Sequence, residues 1–149
     1  MIYYKYTKIV EAGPFGTTKA IVLPEIDGQR IGNELGVVGD ETYVSLPDDA
    51  VLPEQLPEIN CQPVTMTEEL KSALKAINPH CKLVDQQIKD KIRERYDAED
   101  EMYFSRISIG VVMGVYQFLP GEQEAVLEYG AYVESVREWA REERDKIGL

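Results

Sequence analysis

The strongest constraint on this chain is the apolar seam in its last stretch, Pro120 to Leu149. Val126, Tyr129, Val133, Val136 and Ala140 recur at alternating steps of three and four, which lines them along one side of a helix. Glu122, Glu124 and Glu128 lead this helix and Arg137, Arg141, Arg144 and Lys146 close it, the order of signs that the helix dipole favours. Gly148 falls where a C-cap belongs. Such a helix must bury its seam against the rest of the chain or against a second copy. Nothing in it carries chemistry.

The opposite end reads as β. Ile2 to Val10 is rich in tyrosine and β-branched residues and is followed by a turn cluster from Ala12 to Gly16. Lys19 to Ile26 is a second strand candidate, closed by Asp27-Gly28. Ile31 to Val38 is a third, and Glu41 to Leu46 a fourth after Gly39-Asp40. Residues 1–46 are therefore expected to form a small antiparallel β-meander that needs a helix over one face. Residues 47–64, with prolines at 47, 53, 57 and 63, read as an extended connector and as the boundary between β and α regions.

Residues 65–149 read as a helical domain. Thr65 to Glu68 has the spacing of a capping box, and Leu70, Ala73, Leu74 and Ile77 supply one apolar face. Asn78-Pro79 ends that helix, and a second is expected from Lys82 to Tyr96, with Val84, Ile88, Ile92 and Tyr96 in line. Asp97 caps a third, expected to run to Phe118 before Pro120-Gly121 turns into the last. The valines and glycines of Ile107 to Leu119 also suit a buried strand. The helix is preferred because Asp97 to Arg106 leads straight into it. In the resulting αα-hairpin Gly110 lies opposite Gly130 and Gly114 opposite Val126, so that the backbones approach closely. The expected fold class is α+β, with a C-terminal bundle of three to four helices.

Composition narrows the function. Among 149 residues are 27 acids and 16 bases, a net charge of −11, divided almost evenly between the two halves. Phosphate contacts need clustered Lys and Arg, so no nucleic-acid partner is expected. Ile107 to Leu119 is the longest apolar run and is too short for a bilayer, which takes roughly 20 residues, so no membrane partner is expected. The first residues lack the apolar core of a signal peptide. Cys61 and Cys81 flank the first expected helix; one bridge fits that spacing, but two free thiols are the expectation for so few cysteines.

Motifs for chemistry are missing. Neither phosphate-binding glycine pattern occurs. His80, the single histidine, sits beside Cys81, but with Cys61 these make too few ligands for zinc and no group to orient a base. The acids at 97, 99, 100 and 101 suit a helix N-terminus better than a calcium loop. Lys89, Lys91, Arg93 and Arg95 alternate with acids, as on a solvated helix face. No catalytic residue, metal or cofactor is expected.

Nine tyrosines stand out. Tyr4 and Tyr6 share one face of a strand and Tyr3 takes the other, and both faces are not expected to be core in so small a sheet. Tyr132 and Trp139 flank the seam of the last helix. Tyrosine serves either an internal core or a partner surface. The interface candidates are Tyr3, Tyr4, Tyr6, Tyr132, Val133, Val136 and Trp139, with Val126, Val133 and Val136 as the contacts of a helix that seams against its own copy.

The order of Pro79-His-Cys-Lys-Leu-Val, Ile92-Arg-Glu-Arg-Tyr-Asp-Ala-Glu-Asp-Glu-Met and Glu128-Tyr-Gly-Ala-Tyr-Val-Glu-Ser-Val-Arg-Glu-Trp resembles small proteins of phage and prophage tail regions. The resemblance covers residues 78–149 and rests on packing and capping motifs. It implies a tail-fibre-associated or minor virion protein, in the virion or the host cytoplasm, that acts without catalysis on other tail or baseplate proteins or on itself as a homo-oligomer. The alternatives are an acidic inhibitor or nucleic-acid mimic aimed at a basic host enzyme, and an enzyme using carboxylates and tyrosines in a pocket.

Overall fold

The period-two alternation of the first strand organises the N-terminal region of the computed structural model, which describes residues 1–149. The strands are β1 (Ile2–Tyr6), β2 (Ile9–Glu11), β3 (Thr17–Lys19), β4 (Glu25–Ile26), β5 (Gln29–Arg30), β6 (Asn33–Val38), β7 (Glu41–Leu46) and β8 (Gln62–Val64). The helices follow as α1 (Glu68–Ile77), α2 (Pro79–Arg95), α3 (Ala98–Val112) and α4 (Glu122–Asp145). The protein is α+β. Its main sheet is antiparallel in the order β6-β7-β1-β8, and β2-β3 and β4-β5 form separate ribbons.

This is not a simple meander. β1 pairs with β7, from Ile2 opposite Leu46 to Tyr6 opposite Thr42, and on its other side with β8, from Tyr3 opposite Val64 to Lys5 opposite Gln62. The expected strand from Lys19 to Ile26 is broken into the ends of two ribbons. Pro24 interrupts it, because proline has no N–H to donate to a ladder. The expected connector supplies β8, where Pro63 is tolerated because an edge strand needs hydrogen bonds on one side only.

Both faces of the sheet are covered, against expectation. Tyr3 and Tyr43 face a core of Leu35, Leu74, Cys81 and Leu149, while Tyr4, Tyr6 and Val44 face a second core with Ile9, Ile21 and Ile59. The loops between β1 and β6 and the connector thus do for one face what α1 does for the other. Cys61 and Cys81 sit in different cores and are free thiols.

The helix boundaries follow caps that only partly match the motifs. Thr67, not Thr65, caps α1, its side chain accepting from the Leu70 N–H at 3.2 Å. Asn78 serves two helices at once. Its N–H donates to the Leu74 carbonyl at the end of α1, and its Oδ1 accepts from the Cys81 N–H at 3.0 Å in the first turn of α2. Its Nδ2 donates to the Leu35 carbonyl of β6 at 2.7 Å. Pro79 is therefore the first residue of α2, where its missing N–H costs nothing, and His80 and Cys81 lie inside a helix, not in a break. Asp97 caps α3 as expected, in a capping box with Asp100.

The chain forms two compact units, Met1–Lys82 with Arg144–Leu149, and Leu83–Glu143. The division falls within α2 instead of in the connector, because the connector and α1 pack on the sheet. Residues after α4 return to the first unit. Gly148 (φ +82°) turns the chain, the Leu149 N–H reaches back to the Arg144 carbonyl, and Leu149 is buried. Tyr3 Oη and Ser45 Oγ donate to the carbonyls of Gly148 and Ile147 at 2.9 and 2.6 Å.

In the second unit aromatic rings link three helices. Tyr96 packs edge-on against Phe104 and Tyr129, at centroid distances of 5.9 and 5.1 Å, and Phe104 stacks on Tyr129 at 5.2 Å. These rings act as spacers, and scarcely any Cα–Cα pair between α3 and α4 lies within 8 Å. The close glycine contact expected for Gly110, Gly114 and Gly130 is absent. A Cβ on Gly114 or Gly130 meets nothing within 4 Å, while one on Gly110 falls 2.8 Å from Tyr116 Cβ in the turn just beyond its own helix.

Candidate functional site

The expected interface residues are engaged within the chain. Tyr6 is buried, and Tyr3 and Tyr4 pack on opposite cores of the sheet. Tyr132 Oη donates to the Lys91 carbonyl at 2.8 Å, and its ring lies under the Arg95 guanidinium. The Trp139 ring lies under Lys91 Nζ at 4.6 Å. Val136 is buried and Val133 half-buried, so the seam of α4 is largely spent inside the fold.

A different surface is open. α3 stops at Val112, six residues short of the expected Phe118, because Gly114 (φ +72°) reverses the chain and the N–H groups of Val115 and Tyr116 both turn back to the Gly110 carbonyl. The reversal leaves Val112, Met113 and Val115 exposed by 87, 70 and 78%. Met102, Tyr103, Ile109 and Leu119 are exposed as well. From Ile107 to Gly121 no side chain is charged, the longest such run in a chain that is 29% charged. That run was the available signal. Its pattern suits burial, which is why reading it as a packed helix hid its exposure.

An apolar groove of about 510 Å³ runs along this surface, lined by Tyr103, Ile107, Ile109, Met113, Val115 and Tyr116, with Arg106 as its one charged residue. Glu122, the first residue of α4, holds the turn in shape. Its carboxylate accepts from the Leu119 N–H at 2.7 Å and from the hydroxyls of Tyr116 and Tyr103. The bond to Glu122 pushes the Tyr103 hydroxyl up to about 12, and the Tyr103 and Leu119 donors hold the Glu122 carboxyl below its ordinary range. Three donors thus tie the turn and Tyr103 of α3 to the first residue of α4.

Elsewhere several charged groups of the sheet region are held in ion pairs. Lys5 Nζ contacts Glu41 Oε1 at 2.6 Å beside a polar cleft of about 190 Å³, and this pairing raises the Lys5 ammonium and lowers the Glu41 carboxyl. A carboxylate held ionised in that way is a weak proton acceptor. Lys8 pairs with Glu34, and Lys19 bridges Glu11 and Glu58. No three His, Cys, Asp or Glu side chains gather as a metal site needs. No helix is long and apolar enough to cross a membrane.

No protein-family model matches the chain, and no curated protein or solved structure is significantly similar to it.

Proposed function

We propose that this protein is a non-enzymatic structural or assembly component of a phage tail, in the virion or the host cytoplasm, that works through protein–protein contacts. The observation that carries this reading is the exposed, uncharged face formed by α3 and the turn after it. A soluble chain of this charge has no reason of stability to leave Val112, Met113 and Val115 in water, and apolar patches of several hundred Å² mark interaction surfaces. The alternative of an acidic mimic draws less support, since several carboxylates that would imitate phosphates are neutralised by Lys5, Lys8, Lys19 and Arg95.

The test is to mix the purified chain with phage tail and baseplate proteins and follow size exclusion with light scattering. A stable complex with one of them is expected. If the chain binds none of them, the assembly reading falls.

A further inference from the structure

We propose that the face built by α3 and the turn at 113–119 binds a second copy of this chain, making the protein a homodimer. This deepens the proposed function and rests on the same surface, with the partner now named.

Two observations select that occupant. The first is area. Summed over Met102, Tyr103, Ile109, Val112, Met113, Val115 and Leu119, the exposed residue surface reaches at most on the order of 800 Å², which is roughly what each partner buries in a standard interface. The second is charge. Each copy carries −11, so two copies repel wherever their acidic surfaces meet. The run from Ile107 to Gly121 offers neutral surface, and two copies that meet there keep their carboxylates apart. An anionic lipid surface repels the chain.

The geometry suits a two-fold contact. The groove takes apolar side chains, and Val112, 87% exposed and next in the chain to the lining residue Met113, is an apolar knob outside the lining, so the patch carries both the knob and the hole that a self-complementary interface requires. Glu122 fixes the turn before any partner arrives, which lowers the ordering cost of association. The contact is mainly apolar, so salt acts on it chiefly by screening the repulsion of the two acidic bodies. Dimerisation should therefore strengthen between 20 and about 300 mM salt, the reverse of what a charge-driven complex does.

Light scattering on the full chain at about 100 µM reads the mass directly, against a monomer of 16.9 kDa. The expected result is twice the monomer mass. Val112→Asp with Met113→Asp should weaken association at least 10-fold while leaving far-UV circular dichroism unchanged, since both side chains are exposed. Val51→Asp, at an equally exposed apolar residue outside the face, should leave the dimer intact. A monomeric wild type, a dimer that survives the double variant, or wild type sedimenting with vesicles of zwitterionic phosphatidylcholine would each overturn the proposal. A monomer that still binds a tail protein sinks the dimer and leaves the proposed function standing. A dimer that binds no tail protein does the reverse.

Discussion

Asn78→Ala is the most informative single change in the first unit. The residue is buried, and its side chain makes two bonds that alanine cannot. Losing the acceptor for the Cys81 N–H removes the N-cap of α2, worth about 1 kcal/mol. Losing the Nδ2 donor leaves the Leu35 carbonyl of β6 without that partner in a fully buried residue, at about 1–3 kcal/mol. The sum is roughly 2–4 kcal/mol, a fall in melting temperature of about 5–15 °C for a chain of this size. Urea denaturation followed by far-UV circular dichroism measures the loss, and hydrogen exchange at the Cys81 amide locates it. Asn78→Asp separates the two contributions. It keeps the capping oxygen but turns an acceptor toward the Leu35 carbonyl, so it should be no more stable than the alanine variant. An alanine variant within about 0.5 kcal/mol of wild type, or an aspartate variant close to wild type, would refute the role given to Asn78 in joining two helices to the sheet.

Gly32→Ala should destabilise by about 1–3 kcal/mol in thermal melts. Gly32 has φ +109°, and a Cβ there falls 2.8 Å from the Ser45 carbonyl oxygen and 2.5 Å from Leu46 Cδ2; a melting temperature unchanged from wild type would contradict this. Tyr103 should ionise near pH 12 in an ultraviolet titration, against 10.0 for an unperturbed tyrosine, and Glu122→Gln should bring it down. Because its folded pKa is raised, the stabilisation tied to this bond is complete below pH 10 and is lost as pH climbs through 12, and a Tyr103 that titrates with the ordinary tyrosines would remove Glu122 as the clasp of the turn.

Local signals were legible where a residue's own neighbours decide its conformation. β7 spans Glu41–Leu46 as its turn and β-branched residues imply, and the alternation of Tyr3 against Tyr4 and Tyr6 holds. Asp97 caps α3, and Gly148 closes α4 in a left-handed turn, because cap and turn chemistry acts over three or four residues. The exposed face of α3 and the turn after it was half legible. Its uncharged run is visible in the letters, but a run of valines and isoleucines looks the same whether it is covered or bare.

Pairing and covering were decided by the tertiary structure. β8 exists because β1 has a free edge, and Gln62–Val64, with a proline at its centre, carries no strand signal of its own. Leu149 is core because the turn at Gly148 carries it back to Leu35, Tyr43 and Leu74, a contact made across the length of the sequence. The same holds in reverse for Val112, Met113 and Val115. Their sequence asks for burial, and none of the elements β1–β8 or α1–α4 lies over them. Caps and turns are written in short spans of the chain, whereas the covering of an apolar face depends on which distant segments are left to reach it.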